Sequence, residues 1–297
     1  MTGCWGWSRR ALLVLALSAA AEIACDENAA LERVSRAQHL AADLHVQFAK
    51  AADSSSKAVL ADTDEASRAF ARDAELAKQA LRTDLDGLRP LLQQLNLPDE
   101  TRLLNQFVAG FDVYSELDRR ILDLAVENTN LKAQRLSFGP AQEAADAFRD
   151  VLQALVPADR KDSWQVKALI ALAVQTVREI QILQAAHIAD ADDAVMARME
   201  TRMQASEGTA RRAVEALAPL LERHSREELT RATAALDRFM SINAEITALS
   251  RRNTNIRSLA LSLSEKPTIV AACEKSLAAL RDLLATRGLT GRRYGPT

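Results

Sequence analysis

Two copies of one tripeptide carry the side chains best suited to hold a polar ligand. Asn128-Thr129-Asn130 is followed by Lys132, and Asn253-Thr254-Asn255 is followed by Arg257. An amide both donates and accepts hydrogen bonds, and a cation one helical turn beyond it adds charge. Asn128, Asn130 and Lys132, and likewise Asn253, Asn255 and Arg257, could therefore hold the carboxylate of an amino acid or organic acid. The same residues have a simpler use, because one amide in an apolar seam fixes the register of long helices. The sequence alone leaves both uses open.

Other candidate chemistry is weaker. Asp190, Asp192 and Asp193 lie near His187, but the corresponding Asp62, Asp64 and Glu65 have no histidine beside them. Acids at such a point suit a helix N-terminus by capping and dipole. His39, His45, His187 and His224 show no metal-binding spacing and read as surface or boundary residues. With no haem-attachment motif, phosphate loop or nucleophile elbow, no catalytic residue, metal or cofactor is expected, and the protein reads as a non-enzyme.

The elements that must position these residues are helices. Nine Gly, 7 Pro and 4% aromatic residues in 297 leave few turn-formers and few strand-formers. A formal charge of -2 leaves no excess cation for a phosphate backbone, which makes nucleic acid a poor partner. Residues 1–24 read as an export signal, with Arg9 and Arg10 before the apolar stretch Ala11 to Leu17 and the small residues 18–21. Cleavage after Ala21 and lipid attachment at Cys25 are alternative outcomes, and either implies a bacterial periplasmic location. Export permits Cys25 and Cys273 to pair, without placing them in range.

The chain repeats itself. Residues 60–66 match 188–194 at an offset of 128, Leu88-Arg89-Pro90-Leu91-Leu92 matches Leu217-Ala218-Pro219-Leu220-Leu221, and the two Asn-Thr-Asn triplets lie 125 apart. The expected architecture is all-α: two tandem up-down four-helix bundles, 29–157 and 163–288, followed by a disordered tail over 289–297. Helices are expected over 29–52, 64–95, 98–136 and 141–156, and again over 163–186, 192–222, 226–263 and 267–287. Ser54-Ser55-Ser56 and Ser137-Phe138-Gly139-Pro140 are expected breaks, Ser225 with Glu228 a capping box, and Gly288 a C-terminal cap. Each third helix, nearly 40 residues, would be about 60 Å long. The pattern leaves open whether the two bundles are separate or stacked end to end on shared helices.

The third helices carry stripes of 3-4 spacing. Phe239, Ile242, Ile246, Leu249, Asn253, Ile256, Ala260 and Leu263 form one, and Leu117, Ile121, Leu124, Asn128 and Leu131 the other. Both seam asparagines should therefore be buried. Phe107 through the Leu117 stripe to Asn128-Thr129-Asn130, then Leu136-Ser137 and 144–152, with Phe239 to Leu263 in the second copy, resembles the periplasmic four-helix-bundle sensor region of bacterial methyl-accepting chemotaxis receptors. That resemblance implies an exported sensor-like protein binding a small polar ligand between helices, with a membrane receptor or a second copy as partner. The chain departs from the family in having no second transmembrane helix or signalling hairpin. The alternative is a periplasmic structural or scaffold protein with no small ligand.

Overall fold

The computed structural model describes residues 7–156 and 163–290, with side chains described over 29–156, 164–223 and 225–287. Residues 1–28, with Cys4 and Cys25, therefore have their side chains outside the described residues, as do those from 291. Every regular element among the described residues is helical. They are α1 (Trp7–Leu60), α2 (Asp64–Gln94), α3 (Pro98–Glu127), α4 (Thr129–Leu136), α5 (Gln142–Ala154), α6 (Ser163–Ala189), α7 (Asp193–Leu217), α8 (Arg226–Arg252), α9 (Thr254–Ser264) and α10 (Lys266–Thr290). Among the described residues no helix is long and apolar enough to cross a membrane.

Several expected breaks fall elsewhere. Helix α1 runs through the serine triplet because these side chains are accommodated within the fold: Ser54 and Ser55 are buried, and Ser56 Oγ donates to the Ala52 carbonyl at 2.9 Å. The Ser137–Ala141 stretch forms a π turn leading directly into α5, a wider loop that tolerates the missing N–H of Pro140. Each long third helix is instead interrupted at its seam asparagine. Asn128 and Asn253 have φ of 51° and 55°, the left-handed region that asparagine tolerates better than most side chains. Ser225 makes no side-chain cap bond, and α10 runs past Gly288 to Thr290, so neither serves as the expected cap. Asp192 does cap α7, accepting the N–H groups of Ala194 at 2.7 Å and Val195 at 3.0 Å.

The compact units cut across the sequence repeats. Unit 1 joins α1, Ala66–Leu122 and the chain from Leu261; unit 2 joins Ala61–Glu65 and Asp123–Ala260. Unit 1 thus takes α1, α2 and most of α3 from the first half of the chain and α10 from the second, and unit 2 takes α6, α7, α8 and most of α9 from the second half and α4 and α5 from the first. Four matched stripes fill unit 1: Ala37, Ala41, Leu44 and Phe48; Leu81, Leu85, Leu88 and Leu92; Leu104, Phe107, Phe111 and Tyr114; and Cys273, Leu277, Leu280 and Leu284. Their 3-4 spacing puts one row of each helix inward. Phe48 sits edge-on to Phe107 at 5.7 Å and to Tyr114 at 5.1 Å, an arrangement favoured by the ring quadrupoles. In unit 2, Phe148 and Leu152 of α5 pack with Ile170, Val177 and Ile180 of α6, Met196 and Met203 of α7, and Leu236 and Phe239 of α8.

Gly110 on α3 marks a close approach in unit 1, since a Cβ there would lie 2.9 Å from Cys273 Sγ. The Cys273 thiol is free and buried, and burial pushes its pKa up to about 11. Gly110→Ala is expected to destabilise unit 1 by about 1–3 kcal/mol through overpacking, outweighing the gain in helix propensity. A urea titration would show it, and a variant as stable as the parent would mean that α10 shifts freely away from α3.

Candidate functional site

The two Asn-Thr-Asn triplets meet inside unit 2. Helix α3 ends at Glu127 and α8 at Arg252; one left-handed asparagine follows each, and a new helix starts at Thr129 and Thr254. A helix start leaves backbone N–H groups without intrahelical acceptors. Here each start is capped by the other. Thr129 N–H donates to Thr254 Oγ1 at 3.1 Å and Thr254 N–H to Thr129 Oγ1 at 3.1 Å. Asn130 N–H donates to Asn255 Oδ1 at 3.1 Å and Asn255 N–H to Asn130 Oδ1 at 3.2 Å. The asparagine carbonyls then accept the first helical bonds, from the N–H groups of Lys132 and Arg257, both at 3.0 Å.

The side-chain amides complete the reciprocity. Asn130 Nδ2 donates to Asn253 Oδ1 at 2.8 Å, and Asn255 Nδ2 to Asn128 Oδ1 at 2.9 Å. Asn130 Nδ2 also reaches the Ile188 carbonyl, and Asn253 Nδ2 the Asp190 carbonyl, each at 2.8 Å. The symmetry fails at one atom: Asn128 Nδ2 is buried with no hydrogen-bond partner among the described residues. The expected burial of both seam asparagines is observed, at 1% and 5% exposure.

The cations stand apart from this layer. Lys132 Nζ donates to the Glu127 carbonyl at 2.7 Å and lies 3.9 Å from Asp64, while the Arg257 side chain is exposed. The structure brings together Asn128, Asn130, Asn253 and Asn255, and leaves Lys132 and Arg257 outside their hydrogen-bond network.

Two polar clusters escaped the sequence reading. His187 is fully buried in unit 2, not a surface or boundary residue, because it continues the inward row Ala173, Val177, Ile180 and Gln184 of α6. Its Nδ1 lies 2.8 Å from Ser250 Oγ and its Nε2 2.9 Å from Glu200 Oε1, the order of a nucleophile, base and orienting acid. Ser250 is nevertheless buried on the inner face of α8, with its hydroxyl 2.8 Å from the His187 carbonyl, and so presents no exposed nucleophile. In unit 1, Asp118 lies 2.9 Å from Lys78 and 3.4 Å from Lys266, all three buried. Burial pulls the Lys266 pKa below the lysine range against the opposing pull of Asp118, and burial followed by Asp118 pushes the Tyr114 pKa up.

Arg251 grips Glu200 at 2.7 and 2.9 Å, and holds its carboxyl below the usual range together with His187, burial opposing. A depressed carboxyl contributes stability above its unfolded pKa and loses it as pH falls through the folded value. Thermal melting of Glu200→Gln is therefore expected to lie below the parent at neutral pH and to converge on it as pH falls below the usual glutamate range. Parallel curves at every pH would contradict this assignment.

A surface cleft of about 410 Å³ in unit 2 runs between α5 and α6, with Asp146, Arg149, Arg178 and Gln181 at its edges over Phe148 and Val177. Arg149 is bound to Asp146 and Asp150, whereas Arg178 makes no hydrogen bond or ion pair among the described residues. The fold and its polar layers define an all-α protein of two helical units. No protein-family model matches the chain, and no curated protein matches it in sequence.

Proposed function

We propose that this is a non-enzymatic structural protein of the bacterial periplasm, in which the paired Asn-Thr-Asn triplets fasten helices and bind no small ligand. The observation that carries this reading is the reciprocal capping: backbone and side-chain groups that a ligand would need already satisfy one another. Buried polar groups that are paired internally fix helix register.

The sensor-like reading implied by the chemoreceptor resemblance has one observation in its favour, at a different place. Arg178 at the α5–α6 cleft is a guanidinium free to take a carboxylate, with an apolar floor for the remainder of a small acid. A thermal-shift screen of amino acids and organic acids separates the readings, since a ligand that binds the native state raises the melting temperature. The structural reading predicts no shift. A shift lost in Arg178→Ala would support the cleft, and one lost in Asn255→Ala would restore a ligand to the asparagine layer.

A further inference from the structure

We propose that the groove between α5 and α6 of unit 2 is a docking surface for an acidic amphipathic helix of a partner protein. The duplication supplies the comparison. At an offset of 129, the inward residues Ala41, Leu44 and Phe48 of α1 become Ile170, Ala173 and Val177 of α6, and Cys273 and Leu277 of α10 stand for Ala144 and Phe148 of α5. The α5–α6 pair of unit 2 thus corresponds to the α10–α1 pair of unit 1. In unit 1 that pair is tied together: Gln38 Nε2 donates to the Leu284 carbonyl at 2.7 Å, and Arg281 donates to His45 Nδ1 at 2.6 Å. In unit 2 Lys167, Leu152 and Val174 replace Gln38, Arg281 and His45, and neither tie is made among the described residues. Gln181 Nε2 bridges to Gln142 Oε1 at 2.9 Å. Along the rest of their length the two helices part around the 410 Å³ cleft and a second of about 360 Å³, and because both are lined by Val174 and Arg178 they form one groove.

The groove differs from its counterpart in the chemistry of its rim as well as in its opening. Trp164 and Ile182 of α6 are 64% and 72% exposed where α1 carries Ser35 and Asp53, and Ala168 stands where α1 carries His39. Gln175 in place of Val46 is a reverse exchange. Helix α6 is therefore apolar along much of its outward row as well as its inward one, and a helix of that kind is ordinarily covered on both sides. Two cations are also new. Lys167 and Arg178 replace Gln38 and Ala49, and neither makes a hydrogen bond or ion pair among the described residues. On the opposite rim Asp146 and Arg149 neutralise one another. From Lys167 to Ile182 the groove runs about 22 Å, the length of a four-turn helix, with the two cations about 16 Å apart along it. An amphipathic helix laid there buries its apolar row on Ala171, Val174 and Ile182 and sets carboxylates three turns apart against Lys167 and Arg178. The chain's terminal segments, basic through Arg9, Arg10, Arg292 and Arg293, do not complement this rim. The inference goes beyond the structural reading and does not rest on it.

The test uses the full chain and a panel of fluorescein-labelled peptides of about 18 residues, with leucines at 3-4 spacing and glutamates on both flanks, beside a matched panel carrying lysines on the flanks. By fluorescence anisotropy the glutamate peptides are expected to bind and the lysine peptides not, with binding weakened as salt rises. The double charge swap Lys167→Glu with Arg178→Glu is expected to weaken the glutamate peptides about tenfold and to reverse the preference. Ile182→Asp, the exchange that makes α6 match α1 at this place, is expected to abolish binding. All three side chains are exposed, so the helical spectrum of each variant should match the parent. Glutamate peptides that fail to bind, or that bind the charge-swapped chain equally well, would overturn the inference. So would sedimentation of the parent with vesicles of phosphatidylglycerol and phosphatidylcholine that Ile182→Asp abolishes, which would make the occupant a lipid surface. A dimer that Ile182→Asp dissociates would overturn it in favour of a second copy. The screen of small acids stands or falls separately, because one carboxylate at Arg178 requires neither Lys167 nor Ile182.

Discussion

Asp118→Asn is expected to lower the stability of unit 1 by about 3–5 kcal/mol, because it leaves two buried ammonium groups without their carboxylate. Lys78 and Lys266 are each almost fully buried, and Asp118 is the buried anion that both approach. Glu75 reaches Lys78 at 2.6 Å, but it is half exposed and on the same helix, so it compensates little. The loss should appear as a lower urea midpoint with little change in slope. Replacing the trio by apolar residues of similar size, Lys78→Met with Asp118→Leu and Lys266→Met, should be neutral or stabilising, since three desolvation penalties disappear together. An Asp118→Asn variant within about 0.5 kcal/mol of the parent would show that water reaches the cluster.

Asn253→Leu is the second large effect, and the structure reverses the sign expected from the seam alone. In a continuous helix, leucine at a seam position strengthens the packing. At φ 55° the leucine side chain meets the left-handed backbone penalty, about 1–2 kcal/mol. Its loss also strips Asn130 Nδ2 of one acceptor and the Asp190 carbonyl of a donor. Together these give an expected destabilisation of about 3 kcal/mol in unit 2. Asn253→Gly keeps the backbone conformation and isolates the amide contribution. Asn128→Leu should cost less by about 1 kcal/mol, because Asn128 Nδ2 makes no hydrogen bond among the described residues. Leucine variants more stable than the parent would mean that the helices run straight through both positions.

The helices and their inward rows were legible because 3-4 spacing survives any choice of partner. The rows ending in Leu92, Tyr114 and Leu284 can be read directly from the chain. The left-handed breaks were not legible, since an asparagine keeps the spacing whether the helix continues or restarts. Pairing of the fourth helices was hidden for a related reason. Duplicated halves present like stripes, so spacing cannot distinguish α10 packed against its own half from α10 packed against the other. Lys78, Asp118, Lys266 and His187 also lie on inward rows, where position outweighs the usual preference of charged and polar residues for solvent. The asparagine layer itself was found by repetition, but its closure was not. Reciprocal capping depends on two helix starts facing each other, which no local pattern encodes.

The most direct test of that closure is a double-mutant cycle on Thr129→Val and Thr254→Val, read by urea unfolding. Each hydroxyl accepts the partner's first N–H, so the two substitutions act on one network and should couple by about 1–2 kcal/mol. Additive effects, with no coupling beyond experimental error, would contradict the account and return the triplets to the role of two independent seam residues.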